Sequence, residues 1–170
     1  NIDSLEKKYS KSLPFNHIII DDFLNEKYID SIYNSYGNEY SKWHKYYNPL
    51  EVKYAYNDIN SLNTPLKDLF YLLSANVIID KISKITNIHN LEYDKYLHGA
   101  GLHSHPRYGR LNMHLDYERH PIYENKQRRI NIILFLNKEW KEEWNGENQF
   151  WSKDMKKCCV KTYPKFNRAL

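Results

Sequence analysis

The chain has 170 residues, with 25 Lys and Arg against 21 Asp and Glu and a net charge of +4; that length gives one domain large enough for a proper core. The positive charge is dispersed, and its richest run, Lys156-Lys157 with Lys161 and Lys165, is broken by cysteines and aromatics, so no nucleic-acid footprint is expected. No apolar run approaches the ~20 residues of a membrane span, and residues 1–8 lack the apolar core of a signal peptide, so a soluble protein away from membranes is expected. The two cysteines, Cys158 and Cys159, are adjacent, where a mutual disulfide would be strained; a reducing cytoplasm fits them. Sixteen tyrosines alongside abundant Asn, Lys and Ile read as the coding bias of an AT-rich genome.

After a charged lead, residues 15–23 read as a strand. Asn25 is an N-cap for a helix running to about Tyr36 before Gly37, and Leu24, Tyr28, Ile32 and Tyr36 give it one buried face. The aromatic stretch 40–56, which holds Trp43, His44, Tyr46 and Tyr47, has no clean period and stays open between strand, loop and substrate-side wall. Thr64-Pro65 supplies an N-cap and a first-turn proline for a helix to about Ala75; Asn76 can cap another carrying Ile78, Ile82 and Ile85. From Leu91 onward, short β-prone runs separated by Gly, Pro and Asn take over. The expected organisation is a single domain over 1–170, with 1–90 a helical support region and 91–170 a β-rich half. Residues 151–157 read as a polar turn, and 159–163 and 166–170 as strands. The absence of an initial Met, and a final segment that looks like an apolar strand in progress, lead to the expectation that the sequence is a fragment lacking its last strands.

The chemistry concentrates in His114-Leu115-Asp116. On an extended segment, residues two apart project from the same face, so the imidazole and the carboxylate can converge on one metal ion. That is two-thirds of the two-His-one-carboxylate triad, which leaves positions open on Fe(II) for a bidentate co-substrate and O2. A lone His-x-Asp is a weak signal, and its context carries it: Gly99-Ala100-Gly101 and Tyr108-Gly109 before it, Pro121 in the following loop, then Arg128-Arg129 at the start of an apolar run ending Leu136-Asn137-Lys138-Glu139-Trp140.

In this context the sequence resembles the prolyl-4-hydroxylase-like branch of the Fe(II)/2-oxoglutarate-dependent oxygenase superfamily, over roughly residues 15–170 and most specifically over 96–151. The resemblance implies an α+β fold, mainly β in its C-terminal half: a double-stranded β-helix, a cupin-like jelly roll, with N-terminal helices packed on one sheet. It places His114 and Asp116 as metal ligands and catalytic centre. It also suggests Asn131, on a strand over 129–137, as a polar group within reach of 2-oxoglutarate, and His103, before the metal segment, as a pocket-lining residue. Arg110, Arg128 and Arg129 are candidates for attracting the anionic co-substrate, beside the plainer reading of solvated charges or ion-pair partners. Phe135 stands where the family often has tyrosine. Asn145-Gly146 departs from the family's Gly-Gly pattern but keeps a sound hairpin turn.

The implied activity is a dioxygenase that hydroxylates a C–H bond of a small molecule or of a peptidyl residue such as proline, releasing succinate and CO2. Its cofactors are Fe(II) and 2-oxoglutarate, with ascorbate a further candidate. The presence of Asp116, where halogenating relatives lack a carboxylate, argues for hydroxylation. The family's distal His, and the Arg that grips the far carboxylate of 2-oxoglutarate, have no counterpart within 1–170. Three readings follow: a chain that stops short of them, a site completed by His103 or His105, or a non-catalytic relative. The alternatives to the enzyme are therefore a jelly-roll binding module with a degenerate metal site, and a cupin-type zinc enzyme. The latter draws on the six of eight histidines that lie between His89 and His120.

Overall fold

The computed structural model describes residues 1–35 and 40–170. Its first helix, α1 (Ile2–Lys11), occupies the charged lead. Asn1 caps it, its Oδ1 accepting from the Asp3 N–H at 3.0 Å, and Ile2, Leu5 and Tyr9 are its half-buried positions. This i, i+3, i+7 stripe is too sparse among lysines to stand out in the sequence, but it is enough to seat α1 against α4 (Asn76–Thr86).

Helix α2 (Glu26–Ser35) begins where Asn25 predicts, the Lys27 N–H donating to Asn25 Oδ1 at 3.0 Å. Its stripe centres on Ile29 and Ile32, which are 1% and 0% exposed, with Leu24 and Tyr28 partly buried beside them. Tyr36 and Gly37, the expected helix end, lie outside the described residues. Helix α3 (Thr64–Ser74) buries Leu66 and Leu69 against this stripe. Thr64 and Asn76 are the first residues of α3 and α4 rather than their caps; Asn63 and Ala75 hold the cap positions, with no side-chain cap bond at either. Each of the four core residues contributes about 1.5–3 kcal/mol on burial. Leu102, Leu134, Leu136 and Phe166 pack on the same cluster, joining the helices to the β half.

The aromatic stretch left open by the sequence is a hairpin, β1 (His44–Tyr47) and β2 (Glu51–Tyr56). Asn48 makes its turn: Oδ1 accepts from Leu50 N–H at 2.9 Å and Glu51 N–H at 3.1 Å. β3 (Leu102–Ser104) and β4 (Arg110–Leu111) also pair antiparallel with β2. A second sheet pairs β5 (Leu134–Phe135) with β8 (Arg168–Ala169), and a third pairs β6 (Asn148–Trp151) with β7 (Cys158–Thr162) across the predicted polar turn. The main sheet therefore starts inside the supposed helical half, and residues 1–90 are not purely helical. The α+β class holds. The described strands form three small antiparallel sheets whose pairings do not trace a double-stranded β-helix.

Other expectations also change. Residues 15–23 make only the isolated bridge Ile20–Ala169, and Asp22 breaks the extended run with φ 51°. The predicted strand over 129–137 shortens to β5, flanked by reciprocal backbone bonds between Ile133 and Leu170 at 2.9 Å. Asn145-Gly146 leads from a 3-10 turn at Glu142–Trp144 into β6 instead of joining two strands. Both cysteines are free thiols, Cys158 half-buried and Cys159 exposed, in keeping with the expectation that the adjacent pair forms no mutual disulfide.

β8 is the junction of the two ends of the chain. Ala169, 4% exposed, pairs with Leu134 on one side and Ile20 on the other. Beside it Asn167 adopts a left-handed conformation, φ 61°, which Asn tolerates better than most residues. Its Oδ1 accepts from Leu24 N–H at 2.9 Å, and its Nδ2 donates to Leu24 C=O at 2.7 Å. Asn167→Ala leaves both backbone groups of Leu24 unpartnered and is expected to cost about 2–4 kcal/mol in urea unfolding. Asn167→Gly, which restores only the conformational freedom, should fall between the two.

Asp21 accepts from Arg168 Nε at 2.6 Å and Nη2 at 3.1 Å and from Lys165 Nζ at 3.0 Å. These partners, Arg168 foremost, hold its carboxyl down from 3.8 to about 2. Its contribution to stability is thus present above the unfolded value and lost as pH falls from about 4 to about 2. Denaturation midpoints measured across that window should fall less steeply for Asp21→Asn than for the unsubstituted chain.

Candidate functional site

β2 alternates Glu51, Lys53 and Ala55 on one face with Val52, Tyr54 and Tyr56 on the other. Because Ala55 sits opposite His103, that histidine shares the face of Glu51 and Lys53, while its neighbour Leu102 turns to the helical core. The sheet thus has a packing face and a chemical face. On the chemical face Lys53 Nζ lies 2.9 Å from Glu51 Oε2, the side chains only 12% and 21% exposed, and 5.1 Å from the centre of the Tyr46 ring. His103 keeps part of its surface in water, yet its ring is desolvated by the atoms around it. That burial, followed by the Lys53 ammonium, pushes its pKa from 6.5 to about 4, with Glu51 opposing. His105 is lowered by the same two causes in the same order. Burial pulls Glu51 upward, but bonding to Lys53, together with Asn48 and the nearby His114, leaves it below its ordinary value.

His114 and Asp116 lie on the segment after β4, outside any assigned strand, with Leu115 between them 96% exposed. Their side chains still converge as expected: His114 Nε2 is 3.4 Å from Asp116 Oδ1. His114 Nδ1 is 2.8 Å from the Asn112 carbonyl oxygen, which can only accept, so the network assigns the proton to Nδ1. Nε2 thus faces the carboxylate oxygen, and either a proton on Nε2 or a metal ion between the two satisfies both. A divalent metal fits that donor set, and imidazole with carboxylate suits Fe(II).

The other carboxylate oxygen, Asp116 Oδ2, accepts from Asn131 Nδ2 at 2.9 Å and lies 3.4 Å from Arg128 Nη2. Arg128 donates to Asn131 Oδ1 through Nε at 3.2 Å and Nη2 at 2.6 Å, and its guanidinium lies 5.1 Å from the centre of the Tyr117 ring. Gly99, at φ 71°, makes room for this stack: a Cβ there would meet Tyr117 Oη at 3.0 Å and Arg128 Nη1 at 3.3 Å.

Asn131, expected near the co-substrate, therefore has both ends of its amide engaged by Asp116 and Arg128. Arg129 is exposed, and it is Arg128 that stands beside the carboxylate. Among the described residues no three His, Cys, Asp or Glu side chains gather as a metal group, so neither His103 nor His105 completes one with His114 and Asp116. His120 is occupied structurally: its Nδ1 accepts from Ile122 and Tyr123 N–H at 3.1 Å each, and its Nε2 lies 3.4 Å from Asp94. Lys53 and Glu51 were not singled out from the sequence, whereas Arg128 was, with Arg110 and Arg129, as a cation that could attract an anionic co-substrate. The signal for the first two was present as alternation after the Asn48-Pro49 turn, hidden by the surrounding aromatics.

A His and a carboxylate brought to 3.4 Å, with Arg128 beside the carboxylate, have the chemistry to share a divalent metal. In agreement, the family model described as the 2OG-Fe(II) oxygenase superfamily matches residues 100–170, the stretch holding β3 through β8 and the whole His114–Asp116–Arg128–Asn131 network. The match supports an oxygenase chemistry that uses iron and 2-oxoglutarate. No curated protein matches the chain. Among the described residues no helix is long and apolar enough to cross a membrane.

In an NMR titration, His103 should remain neutral down to about pH 4. Because its folded value lies below 6.5, its protonation opposes the fold over that interval. Lys53→Met should raise its titration point without restoring 6.5, since burial is the larger cause; a titration point unmoved by the substitution would place Lys53 outside the electrostatics of this face.

Proposed function

We propose that this protein is an Fe(II)- and 2-oxoglutarate-dependent dioxygenase that hydroxylates a C–H bond of a small molecule or a peptidyl residue such as proline. The observation that carries this is the approach of His114 Nε2 and Asp116 Oδ1 to 3.4 Å. Fe(II) with 2-oxoglutarate would supply the O2 activation that couples hydroxylation to release of succinate and CO2. His114 and Asp116 would hold it as two of three protein ligands.

The chain's own groups prepare the surroundings. The Nδ1–H bond to the Asn112 carbonyl fixes the His114 ring in the tautomer that frees Nε2. His103, kept uncharged at neutral pH, lines the chemical face of the sheet without adding a competing positive charge. Lys53 gives that face a half-buried cation compatible with an anionic co-substrate. Asp116 occupies the position a halide would need, which favours hydroxylation over halogenation. The prolyl-4-hydroxylase-like branch and its double-stranded β-helix belong to this proposal, and the order His114-Leu-Asp116, Arg128, Asn131 and Leu136-Asn137 supports them. The absence of a third ligand among the described residues favours a second reading, a binding module with a degenerate site.

Anaerobic titration of the intact polypeptide with Fe(II) and 2-oxoglutarate separates the two. The expected result is a saturable visible charge-transfer band, lost in His114→Ala and Asp116→Ala, with 2-oxoglutarate turnover abolished in both variants. A chain that shows no band, or variants that keep it, would favour the binding module.

A further inference from the structure

We propose that Arg128 and Asn131 are positioning residues for Asp116, tying down Oδ2 so that Oδ1 alone is presented beside His114 Nε2; this rests on the iron site proposed above. A carboxylate on an extended segment rotates easily about its last torsion, which is broad and two-fold. Left free, Asp116 could offer either oxygen, or chelate with both. Here Oδ2 is taken by Asn131 Nδ2 at 2.9 Å and by the Arg128 charge at 3.4 Å, and Oδ1 is the oxygen 3.4 Å from the imidazole.

The direction of the clamp is set from behind. Asn131 Oδ1 receives two donors from Arg128, so its amide cannot flip, and Nδ2 must face Asp116. Arg128 is in turn held over the Tyr117 ring and beside Gly99, with its side chain 20% exposed. Two N–H groups converging on one oxygen while a third interaction reaches Asp116 requires a planar fork, which lysine lacks. The consequence is a carboxylate confined to one metal bond. A facial site must leave three adjacent positions for a bidentate co-substrate and O2, and a chelating Asp116 would remove one of them.

Co(II) is the probe, titrated into the intact polypeptide and read by affinity and by its d–d absorption. Asn131→Ala and Arg128→Gln are expected to weaken Co(II) by about 10–100-fold and to change the band pattern as Oδ2 is released. Arg128→Lys should not restore either. Thermal unfolding followed by circular dichroism identifies variants that remain folded; if Arg128→Gln does not, Asn131→Ala carries the test. Arg168→Gln, remote from the site, should lower stability and leave the spectrum alone. Affinity and bands unchanged in folded Asn131→Ala would overturn the clamp while leaving the iron site standing. If the unsubstituted chain takes up Co(II) no better than His114→Ala, the iron site itself fails and the clamp with it.

Discussion

The backbone ladder through Ala169 holds the rest of the molecule in register. One residue pairs with Leu134 on one side and Ile20 on the other, so a segment from the start of the chain, one from its middle and one from its end share a single line of hydrogen bonds. Asn167 locks that line by satisfying both backbone groups of Leu24, and Leu24 leads directly into the cap of α2. The helical core and the β half are therefore joined by covalent neighbours of buried hydrogen bonds as well as by packing. Loss of those bonds would free β5, and with it the segment carrying Asn131 three residues upstream.

This connection gives the fold its bearing on chemistry. β2 presents aliphatic and aromatic side chains to one side and Glu51 and Lys53 to the other, and strand pairing puts His103 on the second side. Leucines 102, 134 and 136 anchor the neighbouring backbone to the apolar core, so that the polar residues between and beside them are set by the pleat instead of by solvent. The network of His114, Asp116, Asn131 and Arg128 then needs no buried cavity. Its order comes from Asp116 Oδ2 and Asn131 Oδ1 each having an assigned donor, the run of bonds ending at a guanidinium seated on an aromatic ring.

The electrostatics of the site agree with a metal and an anionic co-substrate. His114 Nε2 and Asp116 Oδ1 approach to 3.4 Å, a geometry in which a divalent cation could be shared by the imidazole and the carboxylate. Arg128 stands beside Asp116, while the depressed basicity of His103 and His105 prevents the sheet's chemical face from accumulating further charge. The family-model match over residues 100–170 covers this network but not β2, whose contribution comes from the tertiary pairing.

Much of this was legible from residue order. The His-x-Asp pair, the Asn25 cap, the helices beginning near Thr64 and Asn76, and the strands near 159–163 and 166–170 follow from local rules, since spacing alone sets which side chains share a face and which backbone groups need a cap. Other assignments failed for physical reasons. The stripe on α1 is three residues among many charges, the hairpin over 44–56 alternates aromatics with charges on both faces, and Arg128 and Arg129 are indistinguishable until the chain direction between them is fixed. The sequence by itself determined the donor types at 114 and 116 and the local elements that carry them, because those depend on chemistry within a few residues. Only the tertiary structure decided that Arg128 and not Arg129 reaches Asp116, that Asn131 serves the carboxylate, and that Lys53 faces His103, because each depends on pairing between segments distant in the chain.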